Sequence, residues 1–211
     1  MNRPGLDYRE TEIEAGGYVK GATVALVTQN KDPDGLGRVK VRYPWHEQPT
    51  DSYWARIAAP MAGKGRGLFL LPEVGDEVLV TFDREDMRFP YVLGGLWNGQ
   101  DAPPEKNADG KNDLRLLKTR SGHVLLFDDG SPGRIELQLA DGKKLHIDED
   151  GLKITDTDGN SIEIDSTSGS ITVASSTSLK LSSPEISVEA SGPLSLKGAT
   201  VTVQGNVISL N

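Results

Sequence analysis

The side chains best suited to chemistry here are carboxylates. Glu73, Asp76 and Glu77 stand close together in the string PEVGDEV, and paired carboxylates can serve general acid–base catalysis. Their setting argues for a different role. Pro72 and Gly75 mark a turn, and the alternating EVLVTF that follows marks a strand. The three acids are therefore expected as solvated turn residues, and Asp83, Glu85 and Asp86 as a polar hairpin tip. The histidines His46, His123 and His146 share no metal-ligand spacing. DTDGNSIEID (156–165) has the composition of a calcium loop but lacks its twelve-residue frame and terminal Glu. It reads as a turn. GKGRG (63–67) lacks the spacing of a phosphate loop and its following Ser or Thr; it reads as a Gly-rich turn bearing Lys64 and Arg66. With no cysteine, thiol nucleophiles, disulfides and Cys-based zinc sites are excluded. No convergent catalytic set emerges. The expectation is a protein that is not an enzyme and takes no cofactor or metal.

The bulk properties narrow the classes further. The 211 residues carry a net charge of −8 and only 36% hydrophobic residues. Nucleic-acid binding needs clustered Lys and Arg with interleaved aromatics, and no such strand face is expected here. The opening MNRPGLDYRETEIEAGG is polar and acidic, unlike a signal peptide, and no apolar run approaches the ~20 residues of a membrane span. Synthesis and assembly are expected in the cytoplasm.

Aromatics set the domain plan. All three Trp lie at or before Trp97, and Phe127 is the single aromatic after Asn98. Residues 1–17 read as an arm. Residues 18–97 read as a compact all-β domain with strands expected in 18–29, 38–45, 53–60, 65–82 and 90–97. About five strands in so short a stretch suit a small barrel of OB type. Residues 98–113, NGQDAPPEKNADGKND, read as a linker. Trp45, Trp54 and Trp97 either fill the barrel core or, with Lys64 and Arg66, form a docking face, since Trp dominates interface energetics.

Residues 114–211 have another character. Two hairpin-like units, LRLLKTRSGHVLLFDD and GRIELQLADGKK, are followed by a ladder of apolar pairs separated by Ser, Thr, Gly, Asp and Asn. The pairs are Leu145/Ile147, Leu152/Ile154, Ile162/Ile164, Ile171/Val173, Leu179/Leu181, Ile186/Val188, Leu194/Leu196, Val201/Val203 and Ile208/Leu210. Alternation within a pair is strand period, and the short repeat is the signature of a β-helix. One chain with short strands and one aromatic cannot build a core from these pairs. Three chains wound into a prism can, each buried aliphatic contributing roughly 1.5–3 kcal/mol. The expected trimer core is Ile162, Ile164, Ile171, Val173, Leu179, Leu181, Ile186, Val188, Leu194 and Leu196.

GLGRVKVRYPW (35–45), SYWARIAAPMAGKGRGLFLLPEVGDEVLVTFDRED (52–86) and PYVLGGLWN (90–98) resemble the OB domain of the VgrG and phage baseplate-assembly V families. These are the central spikes of contractile tails and type VI secretion systems. The ladder is similar to the trimeric β-helix needle of that family. The resemblance implies an all-β chain, an OB-type barrel followed by an intertwined, trimeric β-helix (114–211). It implies a structural spike in a virion or injection-particle baseplate, attached to a hub protein and making transient contact with a target membrane as it punctures it. Only the 1–17 arm precedes the barrel here, so the likeness is to the short, split form whose hub is a separate polypeptide. The 98–113 linker is too short for an inserted muramidase. Some related tips bind iron through an H-x-H string, and VTVQGNVISLN contains no His. A separate PAAR-like tip protein is therefore expected on Val207, Ile208, Leu210 and Asn211. The competing readings are a β-helical tail fibre or receptor-binding protein, and an OB-fold binding module.

Overall fold

A computed structural model describes residues 18–47 and 50–208. The 1–17 arm, Leu210 and Asn211 lie outside the described residues. The fold is all-β and divides into two compact units between Lys106 and Asn107, within the segment read as a linker.

The first unit holds β1 (Thr23–Gln29), β2 (Lys40–Arg42), β3 (Arg56–Ile57), β4 (Ala62–Gly63), β5 (Arg66–Gly67), β6 (Glu77–Phe82) and β7 (Pro90–Gly95). Five strands form one sheet in the order β2-β1-β6-β7-β3. β3 runs parallel to β7, and the other neighbours are antiparallel. Val39 and Ala55, just before the two edge strands, exchange backbone hydrogen bonds of 3.0 and 2.7 Å. The edges thus meet, and the sheet curls into a small barrel. Alternation explains its filling. Val39 and Val41, Val78 and Val80, Ala25 and Val27, Ala55 and Val92 all point inward and are buried, joined by Val19, Tyr43 and Phe82.

The strands are shorter than the sequence patterns predict. Of 53–60 only Arg56–Ile57 forms a strand, with Ala55 in a single bridge to Val39, and Leu68–Phe69–Leu70, expected as a short apolar strand, is exposed and joins no strand pair among the described residues. Pro72, which lacks an N–H, follows directly. The 63–67 string is the tight hairpin β4–β5, with Gly65 in the left-handed region at φ 65°.

The long loop between β1 and β2 is organised by Asp32. Its carboxylate accepts the backbone N–H groups of Asp34, Leu36 and Arg38 and two guanidinium bonds from Arg38 of 2.8 and 2.7 Å. That guanidinium holds the carboxyl well below the usual carboxylate range.

The second unit is a seven-stranded antiparallel meander in which sheet order follows chain order. Its strands are β8 (Leu114–Lys118), β9 (Val124–Asp128), β10 (Arg134–Gln138), β11 (Lys144–Asp148), β12 (Gly151–Thr155), β13 (Ser161–Asp165) and β14 (Ser170–Ala174). The hairpin-like units and the first rungs of the ladder are thus one continuous sheet, with strands of five residues. Aspartates shape several of the turns. Asp148 Oδ1 accepts from the N–H groups of Asp150 and Gly151, Asp156 Oδ1 from Asp158 and Asn160, and Asp165 Oδ1 from Thr167 and Ser168. An Asp side chain that bonds the backbone two residues on reproduces a backbone turn.

The ladder was expected to continue as strands to the C-terminus. Residues 175–208 instead form no strand in the single chain. A strand requires partners for its backbone N–H and C=O groups, and among the described residues no strand pairs with this segment.

Candidate functional surfaces

Register sorts the meander into two unlike faces. Leu117, Leu125, Leu137, Leu145, Ile154, Ile162 and Val173 stand opposite one another in one column. Arg115, Phe127, Ile135, Ile147, Leu152, Ile164 and Ile171 form the second. Apart from Arg115 the face is wholly apolar and lies largely open: Ile162 is 43% exposed, Ile164 40%, Ile171 71% and Val173 51%. Leu179 joins a concavity lined by Leu137, Leu145, Ile154, Ile162 and Val173. Leu181, Ile186, Val188, Leu194 and Leu196 are exposed in the segment that follows, as are Val207 and Ile208. A soluble single chain rarely presents so long an apolar strip.

The reverse face is charged in its middle. There His146 bridges two carboxylates, with Nδ1 2.8 Å from Glu136 Oε1 and Nε2 2.8 Å from Asp148 Oδ2. Asp148 and then Glu136 raise the imidazole pKa above its ordinary 6.5. In turn His146 lowers that of Asp148. For Glu136, burial pushes upward, but His146, Lys144 and Arg134 prevail and the pKa falls. Arg134 pairs with Asp128 at 3.0 Å and Lys153 with Glu163 at 3.1 Å. Strand alternation would have placed His146 opposite Glu136, but only with the register known.

The five residues considered for a docking face occupy separate places. Trp45 packs against the core, stacks on Tyr43 at 5.4 Å and donates from Nε1 to Thr23 Oγ1 at 2.7 Å. Lys64 and Arg66 belong to the exposed hairpin β4–β5. Trp97 lies beyond β7 and is 71% exposed. Trp54 stands on the outer barrel wall with the Arg38 guanidinium carbon 5.7 Å and the Lys40 ammonium 5.4 Å from its ring centroid.

That wall corrects one expectation, because the barrel does carry a basic, aromatic-lined strand face. Val39, Val41 and Ala55 point inward, so Arg38, Lys40, Arg42, Trp54 and Arg56 point outward, and Arg56 lies 5.7 Å over the Tyr91 ring. The signal was present in RVKVR and YWARI as simple alternation.

The remaining candidates sit in turns. Asp76 Oδ2 accepts the Glu73 N–H at 2.8 Å, and Glu77 Oε2 accepts from Asn98 at 3.1 Å. Asp83–Glu85 is a short 3-10 turn leading toward β7. His123 Nδ1 accepts the Ala140 N–H at 3.1 Å, and His46 meets the edge of Trp45. Among the described residues no group of His, Asp and Glu has the arrangement of a metal site.

The sequence profile of the type VI secretion system/phage-baseplate injector OB domain matches residues 23–97. That range begins at β1 and ends just after β7. The type VI secretion system spike protein VgrG1b of Pseudomonas aeruginosa is 32% identical over 108 residues, covering 47% of this chain and 15% of that protein. VgrG5 of the same organism is 35% identical over 133 residues, 59% of this chain and 16% of that one. VgrG3 of Vibrio cholerae is 34% identical over 104 residues, 46% of this chain and 10% of that one. Residues 23–97 match an injector-type OB domain, and about half of the chain is similar to VgrG spike proteins. The chain spans about a sixth or less of the length of the curated relatives it matches.

Proposed function

We propose that this chain is the central spike protein of a contractile phage tail or a phage-tail-like injection particle, working as a homotrimer and without catalytic turnover. The observation that carries the reading is the two-column apolar face of the meander, continued by the exposed pairs after Ala174. Three copies facing one axis would bury both columns. The segment 175–208 would then find in its neighbours the backbone partners it lacks within its own chain, which is the intertwined β-helix expected above. The OB barrel attaches the trimer to a hub in the baseplate, and the needle makes transient contact with the target membrane as it punctures the envelope. A PAAR-like tip protein sits on the distal end, with Val207 and Ile208 among its contacts. Synthesis and assembly occur in the cytoplasm.

Sedimentation equilibrium of the purified chain, with electron microscopy of the same sample, tests this. The expected particle is a trimer with a rod and a knob at one end. A stable folded monomer at micromolar concentration would overturn it.

A further inference from the structure

The outer wall of the barrel carries a charge pattern that the fold alone does not require. The Val39–Ala55 bridge sets Lys40 opposite Trp54 and Arg38 opposite Arg56, and Tyr91 stands beside Arg56 on β7. Arg42 extends the row along β2. Like charges directly across a strand pair are destabilising unless something neutralises them. Only Arg38 is neutralised, by Asp32 at 2.7 Å and Asp34 at 2.6 Å. Lys40, Arg42 and Arg56 have no carboxylate within ion-pair distance among the described residues. A chain of net charge −8 has thus gathered three uncompensated cations and two aromatic rings on adjacent outward positions.

From this geometry we infer that the wall formed by β2, β3 and β7 is a docking surface for an extended acidic segment of a partner protein. Lys40 and Arg42 are two residues apart on one strand, a repeat of about 6–7 Å. A second extended strand with carboxylates at alternate positions has the same repeat. The three strands span about 10 Å across, the width of a single peptide with its side chains. Arg56 offers a planar fork for a carboxylate, and the Trp54 and Tyr91 rings hold in place the cations that lie over them. A nucleic acid fits less well. A stacked base would need the Trp54 ring, over which Arg38 and Lys40 already sit, and its phosphates would approach an anionic chain. The surface stands independently of the spike reading; naming it as the attachment face of the barrel rests on that reading.

The test uses the full chain and a fluorescein-labelled peptide of glutamates alternating with threonines, followed by fluorescence anisotropy at about 20 mM salt, where exposed charges are little screened. The peptide is expected to bind. Lys40→Glu with Arg56→Glu should weaken binding by at least about tenfold, and Lys40→Gln with Arg56→Gln by an intermediate factor. Lys197→Glu, a reversal in the second unit, should change it by less than about threefold. Melting temperatures establish that each variant is folded. Absence of peptide binding, or equal binding by the wall variants, overturns the inference. Tighter binding of a short labelled oligothymidylate than of the peptide also overturns it and assigns the wall to nucleic acid. None of these outcomes alters the sedimentation result, so this inference and the trimeric spike can fail separately.

Discussion

Truncating one rung of the apolar face puts a number on the proposed trimer. Ile171 and Val173 occupy the two columns on β14 and are 71% and 51% exposed in the single chain. Full burial of such side chains contributes about 1.5–3 kcal/mol each. Closing what remains open therefore adds about 1–2 kcal/mol at Ile171 and about 0.8–1.5 kcal/mol at Val173. Over three protomers this comes to about 5–10 kcal/mol, and alanine keeps part of it. Ile171→Ala with Val173→Ala should thus cost association about 3–5 kcal/mol. At 1.4 kcal/mol per tenfold this is a loss of about two to four orders of magnitude in the trimer constant. Thr172, between them, points to the other face and pairs in register with Glu163. Thr172→Ala should shift nothing beyond about 0.5 kcal/mol. Sedimentation equilibrium over a concentration series reads both variants against the native chain. If the double variant dissociates no more readily than Thr172→Ala, the apolar face is not the trimer axis.

Two further outcomes follow from the meander. The His146 imidazole is held above its ordinary pKa of 6.5 by Asp148 and Glu136, so its contribution is complete below about 6.5 and fades as pH rises through the higher folded value. The melting temperature of the native chain should exceed that of His146→Gln by more at about pH 6 than at about pH 9; a gap that stays constant or widens with pH would exclude the clamp. Gly151 has φ 145°, and an added Cβ would strike the carbonyl oxygen of Ile164 on the neighbouring strand. Gly151→Ala should destabilise by more than about 1 kcal/mol in thermal melts, whereas Gly99→Ala, with open space around it, should be neutral.

Much of the meander was legible because its strands obey period two and its turns are built on Asp and Gly. The pairs from Leu145 to Val173 could be read directly. Their upstream neighbours were blurred, because Leu114, Leu116, Val124 and Leu126 put apolar residues on the reverse face as well. In the barrel, Val39 and Val41 announced β2. Leu68–Leu71 misled, because apolar character without a partner edge does not make a strand. The cationic wall was visible as alternation in RVKVR, yet its meaning depended on Ala55 meeting Val39, a contact no local pattern reveals. The state of 175–208 was illegible for the opposite reason, since its proposed partners belong to other copies of the chain.

The meander also has a growth rule. β8, β9, β10 and β11 begin at Leu114, Val124, Arg134 and Lys144, a regular spacing of ten residues. Each strand pairs only with its neighbours in the chain, and the turns close mainly on their own residues. A hairpin could therefore be duplicated or lost by a single in-frame change of about twenty residues without disturbing any pairing farther along. Such a sheet can change its reach in units, much as a chain of identical links does, while the barrel remains the same.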